Sequence, residues 1–325
     1  MAKVVISHRL HDDGMAVLEK AGVEVVITNS GDPKVMLPEL KDADGVIIRI
    51  GSIDRETMEQ CPNLKVIGRP GVGVDDVDVE AATELGIPVV IAPGANTRSV
   101  AEHAMAMMFA CAKDMMRSDK EMRKGNFGIR SSYKAFELLG KTLGLIGYGH
   151  IGSVFADMAK GIGMNVIVYD PFVKKEAVEE KGYGYREDMR DVLKEADVVS
   201  LHTPLTPQTR NMIGEAELKL MKKDSILINC ARGGIVDEEA LNKALDENWI
   251  HSAGTDVVVH EPIDPADPIF SHDNIVVSPH MAGQTREAAS GVATLAAEGT
   301  VAVINGEKWD KVCNPKAYDH ARWQK

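Results

Sequence analysis

The stretch Thr142-Leu143-Gly144-Leu145-Ile146-Gly147-Tyr148-Gly149-His150-Ile151-Gly152 joins a short apolar run to a glycine-rich turn. A run with helical spacing of apolar residues follows it, and a second apolar run, residues 166–169, is followed by Asp170. This order predicts a strand, a tight turn, a helix and a second, parallel strand. A G-x-G-x-x-G turn between a strand and a helix is typical of a dinucleotide-binding unit.

The glycines of this turn have different predicted tasks. Gly147 lets the strand turn sharply, Gly149 lets a diphosphate approach the backbone, and Gly152 lets the new helix pack closely on the sheet. The first helical turn, with His150 and Ile151, offers unpaired N–H groups and the positive end of the helix dipole to the anion.

Asp170 predicts which dinucleotide binds. It follows the second apolar run, 18 residues after Gly152, which is close to the spacing of about 20 expected for the acid that binds the ribose hydroxyls. Since a carboxylate at that place repels a 2′-phosphate, the sequence predicts NAD rather than NADP.

Composition narrows the class of protein. A chain of 325 residues is long enough for two domains, and a net charge of −12 disfavours nucleic acid and anionic membranes as partners. The four cysteines are far apart, so neither a disulfide framework nor a metal site is expected. The sequence shows no signal-peptide pattern and no apolar run near the roughly 18 residues that span a bilayer. We therefore expect a cytoplasmic protein.

The order of strands and helices predicts an α/β fold with two Rossmann-like, doubly wound parallel-sheet domains. Strand and helix patterns alternate through the first hundred residues, lead into a long helix over 97–117, and resume after Asp170. A last long helix, residues 283–305, returns the chain to the first domain. We expect a discontinuous substrate domain, residues 1–96 and 291–325, and an inserted NAD-binding domain, residues 97–290, with a ligand cleft between them.

Arg232 is the first candidate for substrate binding. It lies just past an apolar strand in Asn229-Cys230-Ala231-Arg232, where its planar guanidinium could bind a carboxylate. The same position also suits a surface arginine that caps a turn.

His280 is the candidate acid/base, because it follows the strand 275–277 and because the histidine side chain is the usual proton carrier of enzymes near neutral pH. A carboxylate from Asp256 or Glu261 beside its ring would favour the protonated form and fix the tautomer. His260 and His251 compete for the same role on composition alone.

A second glycine-rich segment, residues 68–74, follows a predicted strand in the first domain. It contains Arg69, and we expect Arg49, near the end of the neighbouring predicted strand, to lie close to it. Its backbone N–H groups could form an anion cradle. A tight turn before the next helix is the alternative.

Taken together, these segments resemble the D-2-hydroxyacid dehydrogenase family, and most closely its phosphoglycerate dehydrogenase and hydroxypyruvate reductase branch. The resemblance extends over nearly the whole chain, in the segments 68–78, 93–104, 142–170, 202–206, 229–238, 253–262 and 278–285.

The resemblance implies a role for each matching residue. Arg232 would bind the substrate carboxylate, His280 would be the acid/base, and Glu261 would orient it. The implied cofactor contacts are Gly147, Gly149, His150, Ile151, Gly152, Asp170, His202, Thr203, Pro204, Cys230, Ala231, Asp256, Ala282 and Gly283, with Asp256 at the nicotinamide amide. The implied substrate contacts are Arg49, Val72, Gly73, Arg130, Arg232 and His280.

The resemblance also implies a small anionic 2-hydroxy or 2-oxo acid as substrate, and a homodimer or tetramer. Arg130 favours oxidation of 3-phosphoglycerate, because phosphoglycerate enzymes carry an arginine there that reaches the phosphate in the neighbouring subunit. Ile50, Pro70 and Gln284 depart from that pattern, which leaves hydroxypyruvate or glyoxylate reduction as the alternative. A non-catalytic, NAD-sensing scaffold is a more remote one.

Overall fold

The computed structural model describes residues 1–324. They form two compact units, which we call the split unit (Met1–Asn96 together with the segment from Gln284 onward) and the inserted unit (Thr97–Gly283). The sequence predicts the return to the first domain between residues 290 and 291, and in the structure the second segment of the split unit begins at Gln284, just before the helix at Arg286–Ile304.

Short strands run through both units. They are β1 Lys3–Ile6, β2 Glu24–Ile27, β3 Gly45–Ile47, β4 Val66–Gly68, β5 Val89–Val90, β6 Thr142–Ile146, β7 Asn165–Tyr169, β8 Gly184–Tyr185, β9 Val198–Leu201, β10 Ile226–Asn229, β11 Ser252–Thr255 and β12 Ile275–Val277.

Helices alternate with these strands. They are α1 Asp12–Lys20, α2 Pro33–Leu40, α3 Arg55–Glu59, α4 Val79–Glu84, α5 Thr97–Ala112, α6 Met115–Arg123, α7 His150–Gly161, α8 Lys175–Glu179, α9 Met189–Glu195, α10 Glu215–Leu218, α11 Glu238–Asp246 and α12 Arg286–Ile304. Short 3₁₀ segments lie at Phe127–Ser131, Pro268–Ser271, Pro315–Asp319 and Ala321–Trp323.

Each unit contains one parallel sheet, as the alternating pattern predicts. The split unit has the strand order β2-β1-β3-β4-β5, and the inserted unit has the order β12-β11-β10-β9-β6-β7-β8. Every pair of neighbouring strands is parallel. In the inserted unit the order reverses between β6 and β9, and ligands bind outside the carboxyl ends of the strands at such a point.

The predicted helix over 97–117 is in fact two helices. Asp114, between α5 and α6, has a left-handed backbone with φ of 52°. Its carboxylate accepts a hydrogen bond from Arg117 Nε at 2.9 Å. Because an L-residue in this region cannot continue a right-handed helix, the chain changes direction here.

Helix α12 forms much of the core of the split unit, where it contacts α1, β3, β4 and β5. Its length and composition also pass for a membrane-spanning segment, contrary to our expectation that no segment would. Its side chains Ala293, Ala297 and Val303 are buried within the unit, however, as in the core helix of a globular domain.

The contact between α1 and α12 depends on Gly14. A Cβ atom at this glycine would lie 2.7 Å from the carbonyl oxygen of Ala293 and 2.8 Å from its Cβ. The two helices therefore touch at a distance that no larger residue allows.

We predict that Gly14→Val destabilises the protein by about 1–3 kcal/mol, because the added atoms overpack the contact between α1 and α12. The measurement is the midpoint of thermal unfolding. Gly161→Ala is the control, since its Cβ would meet nothing within 4 Å, and it should leave the midpoint unchanged or slightly raised. Equal midpoints for the two variants would contradict the prediction.

Candidate active site

The predicted glycine turn lies at the point where β6 passes into α7. Gly147 has φ of +97°, and a Cβ there would lie 2.6 Å from the carbonyl oxygen of His202. A Cβ at Gly152 would lie 2.5 Å from the carbonyl oxygen of Gly147, whereas one at Gly149 would meet nothing within 4 Å. Gly147 and Gly152 are therefore required by packing, and Gly149 faces open space where a ligand can approach.

The amino end of α7 suits an anion. Gly149 is the N-cap residue, and among residues 1–324 no side chain caps this end of the helix. His150 is exposed and Ile151 half-buried in the first turn. The open N–H groups and the helix dipole would together hold a diphosphate.

Asp170 directly follows β7 and lies against the glycine turn. Its carboxylate accepts hydrogen bonds from the backbone N–H of Tyr148 and of Phe172, each at 2.8 Å. Each oxygen can accept a second bond, so ribose hydroxyls fit here. The acid is buried, which makes a 2′-phosphate beside it unfavourable.

The segment after β9 supports the turn from the side. The ring of His202 packs edge-on against Phe155, with the centroids 5.7 Å apart, and its Nε2 lies 3.0 Å from Ser200 Oγ. Burial lowers the pKa of His202 to about 4, so the ring is neutral at working pH. Its direct contact with a cofactor stays a prediction.

Thr203 is the best evidence that a ligand fits at this edge. Its hydroxyl oxygen is buried and has no hydrogen-bond partner in the part of the chain that the structure describes. A buried polar atom of this kind normally has a partner, so a bound molecule with a polar group would complete it. Pro204, next in the chain, is exposed at the same edge.

His280 and Glu261 form a pair, as predicted. The imidazole Nδ1 lies 2.7 Å from Glu261 Oε2, and both side chains are about half exposed. Glu261 Oε1 accepts a hydrogen bond from the backbone N–H of Val258 at 3.3 Å, which fixes the carboxylate. Nδ1 then carries the proton of the neutral ring, which leaves Nε2 to exchange one with a substrate.

Asp256 does not lie against the imidazole, although the sequence allowed either acid there. Its carboxylate is 1% exposed and accepts hydrogen bonds from the backbone N–H of Met281 at 2.9 Å and of Ala282 at 2.8 Å. The hydroxyl of Ser278 also donates to it. Asp256 therefore holds the loop that carries His280, and its contact with a nicotinamide amide stays a prediction.

Arg232 follows β10 in a turn held by Asn229. The Asn229 side chain donates to the carbonyl oxygen of Arg232 at 3.0 Å and accepts from the N–H of Ala231 at 3.1 Å. Sequence reasoning missed this role of Asn229, although a polar residue that ends an apolar strand is a usable signal. Cys230 points inward, 3.8 Å from Met107 Sδ, and burial raises the pKa of its thiol.

The competing histidines lie elsewhere. His251 precedes β11, at the amino edge of the sheet, where it packs edge-on against Phe136. His260 is exposed and precedes Glu261 in the chain. The Glu261 carboxylate pairs with the ring of His280. The geometry therefore favours His280 as the acid/base.

Arg69, which the sequence places beside the predicted anion cradle of the split unit, pairs with Asp76. Its Nε and Nη2 lie 2.9 Å from the two carboxylate oxygens of Asp76, and Nη1 donates to the carbonyl oxygens of Ile48 and Arg49. Its charge is neutralised within the unit, because a bidentate pair uses the guanidinium fork.

The remaining candidates in the split unit stay predictions. Arg49 is exposed and donates from Nη1 to the carbonyl oxygen of Arg9 at 2.8 Å. Val72 is 48% exposed, and Gly73 follows it in the same loop after β4.

We predict that Gly149→Ala raises the Kd for NADH at least tenfold without lowering the midpoint of thermal unfolding. The added methyl has room in the folded protein, but it would occupy the space through which the diphosphate approaches the backbone. NADH fluorescence titration measures the Kd. An unchanged Kd would contradict this interpretation of the turn, and Gly161→Ala is the matched control at the other end of the same helix.

Comparison with known proteins agrees with this geometry. Residues 105–282 match the family model for the D-isomer specific 2-hydroxyacid dehydrogenase, NAD binding domain. The chain is 43% identical over 316 residues to a D-3-phosphoglycerate dehydrogenase of Methanocaldococcus jannaschii, covering 97% of this chain but 60% of that protein. It is 39% identical to a glyoxylate reductase of Thermococcus litoralis, over 94% of both chains.

A solved structure has the same fold over nearly the whole chain. The D-lactate dehydrogenase with NAD⁺ from Lactobacillus jensenii superposes with a TM-score of 0.80 at 32% identity, covering 96% of this chain and 99% of that one. NAD is accordingly the cofactor that the fingerprint turn, Asp170 and Thr203 would hold. The chain belongs to the D-isomer specific 2-hydroxyacid dehydrogenase family.

Proposed function

We propose that this protein is an NAD-dependent dehydrogenase of small D-2-hydroxy acids. The observation that supports it most is the pair of His280 Nδ1 and Glu261 Oε2, 2.7 Å apart, on the same sheet edge as the fingerprint turn. An oriented imidazole next to a nicotinamide site is what proton transfer coupled to hydride transfer requires.

The chemistry divides between cofactor and protein. The fingerprint turn and Asp170 would hold NAD, which would supply the hydride acceptor for C2 of a hydroxy acid or, when reduced, the hydride donor for a 2-oxo acid. Arg232 binds the substrate carboxylate through its guanidinium fork. His280 Nε2 takes the hydroxyl proton during oxidation and returns it during reduction.

Glu261 acts on the proton transfer through His280. Its carboxylate accepts from Nδ1 and so selects the tautomer whose Nε2 has a lone pair. When the imidazole gains the substrate proton, the same carboxylate faces the new positive charge. The Val258 N–H keeps Glu261 in this position.

We predict that His280→Ala and Arg232→Ala each lower kcat/KM for 2-oxo acid reduction by several powers of ten while the protein stays folded. NADH absorbance gives the rate, and circular dichroism gives the fold. His260→Ala is the control, because this exposed histidine has no part in the proposed proton transfer and the variant should keep near wild-type activity. Retained activity in either active-site variant would contradict the assignment.

We infer that the first-choice substrate pair is 3-phosphoglycerate and 3-phosphohydroxypyruvate. The 43% identity to an archaeal phosphoglycerate dehydrogenase supports it, as does the exposed Arg130, whose guanidinium lies 5.2 Å from the Phe127 ring centroid. The 39% identity to a glyoxylate reductase, together with Ile50 and Pro70, favours hydroxypyruvate or glyoxylate reduction as the second candidate.

We also propose a homodimer or tetramer, in which Arg130 would act on a substrate held by a neighbouring subunit. Large apolar side chains are exposed in the segment around it, namely Met115, Met116, Met122, Phe127 and Tyr133. Several exposed large apolar side chains in one segment support a surface that a partner covers.

We predict that the protein reduces 3-phosphohydroxypyruvate with a higher kcat/KM than hydroxypyruvate or glyoxylate, because Arg130 adds a charge-assisted contact to the phosphate. Arg130→Ala should lower kcat/KM for 3-phosphohydroxypyruvate about tenfold or more. The kcat/KM values for hydroxypyruvate and glyoxylate should stay unchanged. Arg123→Ala, in an exposed ion pair with Asp119, is the control.

The same assay separates the alternatives. A preference for hydroxypyruvate or glyoxylate would favour the second candidate. Absence of turnover with every acid would favour a non-catalytic scaffold.

A further inference from the structure

A histidine outside the predicted site touches the network that holds His280. His103, in the second turn of α5, places Nε2 2.9 Å from Ser278 Oγ and 3.6 Å from Asp256 Oδ1. Its side chain is 23% exposed, and all three residues belong to the inserted unit. The sequence patterns gave neither His103 nor Ser278 a task.

The direction of these hydrogen bonds follows from the number of protons available. Asp256 accepts from two backbone N–H groups, those of Met281 and Ala282, as an ionised carboxylate does. Ser278 has one hydroxyl proton and donates it to Asp256. The Ser278 oxygen must therefore accept from Nε2–H of His103, which defines a chain from His103 through Ser278 to Asp256.

The end of this chain holds the backbone of the candidate base. The carbonyl oxygen of Asp256 accepts the N–H of His280 at 2.7 Å, and its carboxylate binds the next two N–H groups. His280 has φ of +51°, a left-handed conformation that costs a non-glycine residue about 1 kcal/mol or more. Surrounding hydrogen bonds must stabilise such a conformation, and the bonds from residues 280–282 to Asp256 do so here.

Loss of the His103 proton donor would loosen this arrangement. Ser278 Oγ would lose the donor that now fixes its position, and the Asp256 carboxylate would lose a neighbour 3.6 Å away. The three N–H groups from His280 to Ala282 would then have a less fixed acceptor. The imidazole of His280 would sample more orientations relative to Glu261.

We propose that His103 is a positioning residue that holds the His280 loop, through Ser278 and Asp256, in the orientation that proton transfer requires. The inference rests on the proposed dehydrogenase function. Removal of His103 should slow the chemical step, whereas carboxylate binding by Arg232 is carried by a different loop and should change little.

Steady-state kinetics of 2-oxo acid reduction with saturating NADH test the effect on catalysis. His103→Leu should lower kcat about 10- to 100-fold with KM within about twofold of wild type. His103→Gln keeps an N–H donor and should recover most of kcat. His272→Leu is the control, a similarly enclosed histidine of the same unit whose Nε2 lies 2.9 Å from Asn242 Oδ1, and its kcat should stay near wild type.

Hydrogen–deuterium exchange of the protein without substrate tests the network itself. In His103→Leu the amides of Met281 and Ala282 should exchange about tenfold faster, while those of α7 stay at the wild-type rate. An unchanged exchange rate, an unchanged kcat in His103→Leu, or an equal loss of kcat in His103→Gln and His103→Leu would overturn the proposal. If exchange accelerates but the wild type turns over no 2-oxo acid, the proposed function fails while the network stands.

Discussion

Parallel pairing of the seven strands in the inserted unit is the constraint on which the site depends. Because β6, β7 and β9 to β12 run in one direction, the residues that follow them emerge at the same edge of the sheet. Residues far apart in the sequence, from the glycine turn to the His280 loop, thereby meet at one edge. The reversal of strand order between β6 and β9 opens a crevice where a dinucleotide can lie.

Buried polar groups then give this edge its detailed shape. Asp170, Asn229 and Asp256 each end or follow a strand, and each binds backbone N–H or carbonyl groups of a neighbouring loop. A buried carboxylate or amide is costly unless it is hydrogen-bonded, so each of these side chains tolerates few backbone arrangements around it. These hydrogen bonds hold the loops of the site in place, although the loops contain little regular structure.

Sequence reasoning was most successful where one local pattern determines one local structure. The glycine turn, the acid at Asp170 and the alternating parallel architecture follow from spacing and residue type, and the structure agrees with them. It failed at Asp114, where a single left-handed residue divides a pattern that stays helical on both sides. It also gave no sign that Arg69 pairs with Asp76, because that contact depends on how the loop after β4 folds back.

The sequence by itself determined the fold class, the nicotinamide cofactor and the residue types available for chemistry, since these depend on short-range periodicity and spacing. Only the tertiary structure decided which acid faces which partner. Asp256 and Glu261 are five positions apart and chemically alike, yet Glu261 contacts the His280 ring while Asp256 holds its backbone and meets Ser278. The physical reason is that hydrogen bonds act over about 3 Å, so pairing depends on how separate strands and helices pack.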